Sequence, residues 1–184
     1  MMKIHISRLV TILLLSNTMT SLAQSQPLVP ADFDVPVVLE NQYFRIRTLT
    51  VNDVVKDYDA VMSSLDHLQG VFGPNSTWPS KDLSFEQDLI DLGWHQKEFQ
   101  IRSSFAYTVV SLDEERVVGC IYINPTNRGN FDASITMWVR ADVVEDGYDS
   151  ALFDTVKKWI SEDWPFDNPG YPGRDIGWEK WLTL

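Results

Sequence analysis

The residues of this chain best placed for proton chemistry are His95 and the carboxylates around it. Asp91, His95 and Glu98 fall at i, i+4 and i+7, and Asp88 lies one turn earlier, so a helix carries all four on one face. A carboxylate beside an imidazole raises its pKa and fixes its orientation, which suits a general base. The same face can also be read as a solvated charged surface. It has ligand types that a divalent ion accepts, but no second cluster completes a metal site, so no metal is expected. His67 falls near the end of an earlier helical pattern, where a cation complements the helix C-terminus.

A second possible chemistry is anion binding at Gly147. The stretch Ala141 to Gly147 separates a strand pattern from a helical one, and the N–H groups at such a junction can receive a phosphate. Glu145, Asp146 and Asp149 surround that position with negative charge, which opposes anion binding. In the alternative reading, Asp149 complements the helix N-terminus and Gly147 only makes the turn.

Other chemistries lack their residues. Ser103 and Ser104 have no Gly-x-Ser-x-Gly setting, and no Walker loop, zinc motif or dinucleotide fingerprint is present. Asp113, Glu114 and Glu115 form a polar turn rather than a catalytic pair. Cys120 is the only cysteine, so no intramolecular disulfide forms, and its apolar setting from Val117 to Ile121 describes a buried thiol.

These residues need a scaffold, and the hydrophobic pattern supplies one. Tyr43 to Leu49 reads as a strand with Phe44 and Ile46 on one face. A helix follows, with Val54, Val55, Tyr58, Val61, Met62, Leu65 and Leu68 as its apolar stripe. A second helix starts at Ser84, in capping-box spacing with Gln87, and turns Phe85, Leu89, Leu92 and Phe99 inward. Phe105 to Leu112 and Arg116 to Ile123 pair as a hairpin, Ala133 to Arg140 adds a strand, and Tyr148 to Ile160 forms a helix. The expected class is α/β (α+β), a mixed and mostly antiparallel sheet flanked by helices.

The order strand, two helices, hairpin, strand, helix over residues 43 to 165 resembles the GNAT (GCN5-related) N-acetyltransferase superfamily. Trp94-His95, Ser104-Phe105-Ala106-Tyr107 and the stretch Trp164-Pro165-Phe166 to Arg174 also look like an exported, GNAT-like group. The resemblance implies transfer of an acetyl group from acetyl-CoA, as cosubstrate, to an amine. It implies a cofactor slot beside the strand ending at Arg140, with Met137, Trp138 and Val139 offering backbone N–H groups and Gly147 and Tyr148 at the phosphate end. His95 with Glu98 would be the base, and Tyr171 or Tyr148 the acid. In the family's phosphate loop a basic residue or Gln precedes two small residues. Placing Gly147 on the first of these puts Val144 and Asp149 at the other two positions. A non-catalytic GNAT-like domain that binds a small ligand or a protein partner is the alternative.

Lys3, Arg8, the apolar run Leu9 to Leu15 and the small residues around Ala23 describe a secretory signal peptide over residues 1–23. The run is too short for a stable membrane anchor. An extended lead-in, residues 24–36 with Pro27, Pro30 and Pro36, precedes a single domain at 37–184, and the lead-in is expected to be poorly ordered to about Val37. The destination is the periplasm or the extracellular space. A formal charge of −11, made more negative by loss of Lys3 and Arg8, repels nucleic acid and favours a cationic or amine-bearing ligand. Oligomeric state is not encoded in these patterns.

Overall fold

The structure, a computed structural model, describes residues 26–184, and the signal peptide expected at 1–23 lies outside them. In chain order the elements are β1 (Val38–Glu40), β2 (Arg45–Thr48), α1 (Val54–Met62), α2 (Leu65–Leu68), α3 (Phe85–Gln100), β3 (Phe105–Val110), β4 (Val117–Asn124), β5 (Ala133–Val139), α4 (Tyr148–Asp163), β6 (Pro169–Gly170) and α5 (Trp178–Leu182). The six strands form one sheet in the order β1-β2-β3-β4-β5-β6. Every pairing is antiparallel except β5 with β6.

The expected hairpin is the centre of the sheet. All six residues of β3 are buried, and β4 pairs with it from Phe105↔Ile123 to Val110↔Val117. A bulge between Val109 and Val110 leaves Val118 as an extra residue, and beyond it the faces of β4 exchange. Val118, Ile121 and Ile123 therefore join the core under α4, while Val117 and Cys120 join the core on the opposite face.

Helix α4 covers one face because Leu152, Val156, Trp159 and Ile160 recur at i, i+4, i+7 and i+8 and are all buried. Each such side chain contributes roughly 1.5–3 kcal/mol by leaving water. On the other face, α1 and α3 do not follow the apolar stripes expected of them. Val55 is 67% exposed, and the buried positions of α1 are Val54, Asp57, Ala60 and Val61. Phe85 and Leu89 are exposed on α3, whose buried residues are Asp88 and Leu92. The expected capping bond is present, with Ser84 Oγ accepting the Gln87 N–H at 3.1 Å. The helix expected to continue through Leu68 is interrupted after Met62, and the short α2 follows.

The lead-in is packed rather than loose. Val29 is buried, the Leu28 N–H donates to the Arg102 carbonyl, and Arg102 in turn donates to the carbonyls of Pro30 and Phe33. The buried hydroxyl of Tyr107 donates to the Pro36 carbonyl at 2.6 Å. The prolines were the misleading signal here: Pro27, Pro30 and Pro36 suggested a loose segment, while Leu28, Val29 and Phe33 anchor it to the core. At the other end, Trp178 and Trp181 fold back onto the domain as expected, with Trp181 buried. No helix among the described residues is long and apolar enough to cross a membrane.

Candidate functional site

Two of the cavities that meet β5 share Trp178 in their lining. The larger, about 540 Å³, lies between α1, α3 and the β4–β5 face. Asp57 of α1 enters from one side, and Asp88, Asp91, His95 and Glu98 of α3 enter from another. Phe72 and Trp78, from the segment between α2 and α3, join Tyr122 of β4 in an aromatic wall. Phe72 stands 4.9 Å from Trp78 and 5.4 Å from Tyr122, centroid to centroid.

Two of these carboxylates have been taken out of water. Asp57 and Asp88 are each 4% exposed. Burial, aided by the neighbouring charge of Asp88, pushes Asp57 up to about 7, although the Cys120 thiol donates to its Oδ1 at 3.4 Å and opposes the shift. Burial and then Asp91 push Asp88 up to about 6, and its Oδ2 is buried with no hydrogen-bond partner. The outer carboxylates are satisfied. Asp91 accepts from Gln87 at 2.8 Å, and Glu98 Oε2 accepts from Ser104 at 3.0 Å and lies 3.5 Å from His95 Nδ1.

The smaller cavity, about 300 Å³, is a slot along the edge of β5. Strand β6 pairs with β5 only at Ala133 and Ser134, so beyond Ser134 that edge carries no strand. The Arg140 N–H bonds across to the Val118 carbonyl, and antiparallel alternation then turns the backbone groups of Met137 and Val139 to the open edge. The slot is also lined by Val144, Asp149, Pro172, Gly173 and Arg174 and, from the end of α2 onward, by His67, Gln69, Gly70 and Val71. Gly147 opens α4 with φ +80°, the left-handed conformation for which glycine is suited. Asp149 is held below the usual carboxylate range by two bonds from Arg174, both 2.5 Å. The negative charge expected at this junction is therefore neutralised at Asp149, while Glu145 and Asp146 remain exposed. The indole of Trp178 fits where Gly73 and Gly173 lack side chains: a Cβ at either would come within 3.2 Å or 2.6 Å of it.

The structure brings His95 and Glu98 together at the larger cavity and puts Trp138 and Val139 on the slot. Tyr171 lines neither. It is buried against Phe153 at 5.7 Å, and burial with Asp175 nearby pushes its phenol up to about 12. Tyr148 packs on Tyr43 and Phe44. The Arg140 side chain is buried among Asp59, Asp142 and Ser63, a tie between β5 and α1. Among the described residues, no group of three His, Cys, Asp or Glu is arranged to hold a metal ion.

Sequence reasoning missed Asp57, Phe72, Trp78, Tyr122, Arg174 and Trp178 as site residues. Asp57 had a readable signal, since it interrupts the buried stripe three residues after Val54 and four before Val61. Phe72 and Trp78 had none, because loop residues carry no periodicity to place them.

No protein-family model and no curated protein matches this chain. Solved structures do. A ribosomal-protein-S5-alanine acetyltransferase from Vibrio fischeri superposes with a TM-score of 0.54 at 16% identity, over 68% of this chain and 67% of the other. A ribosomal L7/L12 alpha-N-protein acetyltransferase in complex with coenzyme A gives 0.53 at 17%, over 68% and 70%. An acetyl transferase from Salmonella typhimurium that modifies the N-terminal serine of L7/L12 gives 0.51 at 15%, over 67% of each chain. At these identities the likeness establishes the fold, which is that of the GNAT N-acetyltransferases.

Proposed function

From this acetyltransferase fold we propose that the protein transfers an acetyl group from acetyl-CoA to an amine bound in the larger cavity. One observation carries the reading: the open edge of β5 and a carboxylate-lined cavity meet at Trp178. Acetyl-CoA would supply the activated acetyl thioester. The open-edge backbone groups of Met137 and Val139 would hold its amide-bearing arm and polarise the thioester oxygen. That edge fits the donor. The phosphate end fits less well, because Asp149 and Arg174 are bound to each other beside the N-terminus of α4.

On the acceptor side, the cavity carboxylates draw in an ammonium group. Asp57, raised by burial to about 7, takes in its ionised form the proton that the ammonium must lose before it can attack. His95, paired with Glu98 on the same cavity, is the other proton acceptor. The test is release of free thiol from acetyl-CoA in the presence of a panel of primary amines. Amine-dependent release that Asp57→Asn reduces at least tenfold supports the reading, and no release with any amine overturns it.

The Asp149–Arg174 pair favours a second reading, an exported, non-catalytic domain that uses the fold to bind a cationic ligand. Export by a signal peptide ending at Ala23 belongs to this reading. Intact-mass analysis of the envelope or medium fraction should then find a chain beginning at Gln24, and a full-length cytoplasmic species would exclude it.

A further inference from the structure

We propose that the larger cavity is a receptor for an organic cation, an ammonium group carrying apolar substituents, seated between aromatic faces and the carboxylates of Asp57 and Asp88. This deepens the amine-acceptor reading and rests on it only for the place of the ligand, because binding does not require that acetyl transfer follow.

Charge gives the sign of the ligand. Four carboxylates line the cavity, and no Lys or Arg is among its described lining residues. An anion would meet uncompensated repulsion there. A second observation is independent of that count. Asp88 is 4% exposed, lines the cavity and leaves Oδ2 without a partner. A buried carboxylate oxygen with no donor is costly, and a cation in the cavity would relieve it.

The walls give the character of the ligand. Phe72, Trp78 and Tyr122 form a contiguous aromatic surface, and Trp94 and Trp178 extend it. Ring faces attract a cation through the quadrupole and accept alkyl groups by burial, so they suit an ammonium whose substituents are carbon. The chain already shows the preference at the rim: Lys97 Nζ lies 4.6 Å from the centroid of the Trp94 ring. A volume of about 540 Å³ suits a compact small molecule.

The probe is benzyltrimethylammonium, titrated calorimetrically at pH 8 into the full chain without acetyl-CoA. It has no N–H or hydroxyl to acetylate, so the result is separate from the transfer assay, and either can fail while the other stands. Benzyl alcohol and phenylacetate carry the same ring with no charge and with negative charge. The cation should bind at least tenfold more tightly than either. Asp88→Asn should weaken the cation at least fivefold and leave benzyl alcohol unchanged. Trp94→Ala, at a side chain exposed enough to be replaced without loss of folding, should also weaken the cation. Absence of cation binding by the parent protein, or equal binding of the three compounds, would overturn the proposal.

Discussion

Asp149, in the first turn of α4, and Arg174, in the loop after β6, close on each other with two parallel bonds of 2.5 Å along the slot. The guanidinium nearest the N-terminus of α4 is thus already engaged by a carboxylate from the same chain, so an incoming phosphate must compete with it. Acetyl-CoA should bind the parent protein weakly. Asp149→Asn leaves the shape of the turn and frees Arg174, and calorimetry should show affinity rising about tenfold, the roughly 1.4 kcal/mol expected of one released charge-assisted contact. Unchanged affinity would mean that this junction does not receive the phosphates.

Stability should fall as pH rises between about 4 and 7 and level off above that. Asp57 and Asp88 ordinarily ionise near 3.8 but are raised to about 7 and about 6, so the folded chain holds protons there that the unfolded chain has lost. Their contribution is complete below about 4 and is lost as pH passes through 6 and 7. The groups facing them are Asp53 just before α1, Asp91, His95 and Glu98 on α3, and Cys120 and Tyr122 on β4, none of which is a fixed cation. Asp57→Asn should raise the melting temperature by roughly 2–4 °C at pH 8, about 1 kcal/mol, and change it little at pH 5. Equal shifts at both pH values would contradict this.

Gly119 should tolerate no side chain. A Cβ there would lie 2.2 Å from the Trp138 carbonyl oxygen, a backbone atom that cannot rotate aside. Gly119→Ala should destabilise by about 3 kcal/mol or prevent folding, read from urea unfolding.

His95 is partly exposed and its imidazole lies 5.1 Å from the Tyr122 ring. His95→Gln should leave the melting temperature within about 2 °C, as for an ordinary surface change. If it takes part in proton transfer, thiol release should drop at least tenfold at saturating amine. Unchanged release would assign that work to Asp57 alone.

The sheet was readable because β3, β4 and α4 are long, apolar and regularly spaced, and burial imposes those patterns directly on sequence. The faces of α1 and α3 were harder to read for a physical reason. Apolar scoring puts Val55 and Leu89 inside and the carboxylates outside, whereas a cavity between helix and sheet requires Asp57 and Asp88 to point inward. His95 and Glu98 were legible because one helix supplies both. Arg174 and Trp178 reach the site through contacts with Asp149 and Gly73, remote in sequence, and local spacing contains no trace of such contacts.

Trp178 makes the two cavities neighbours with one common partition. Its indole is seated against Gly73 and Gly173, so the position of a single ring helps set the shape of both spaces. An occupant that moves the ring on one side alters the free energy of occupancy on the other, and thermodynamic linkage makes the effect equal in both directions. If one space takes the donor and the other the acceptor, their affinities are coupled through this one side chain.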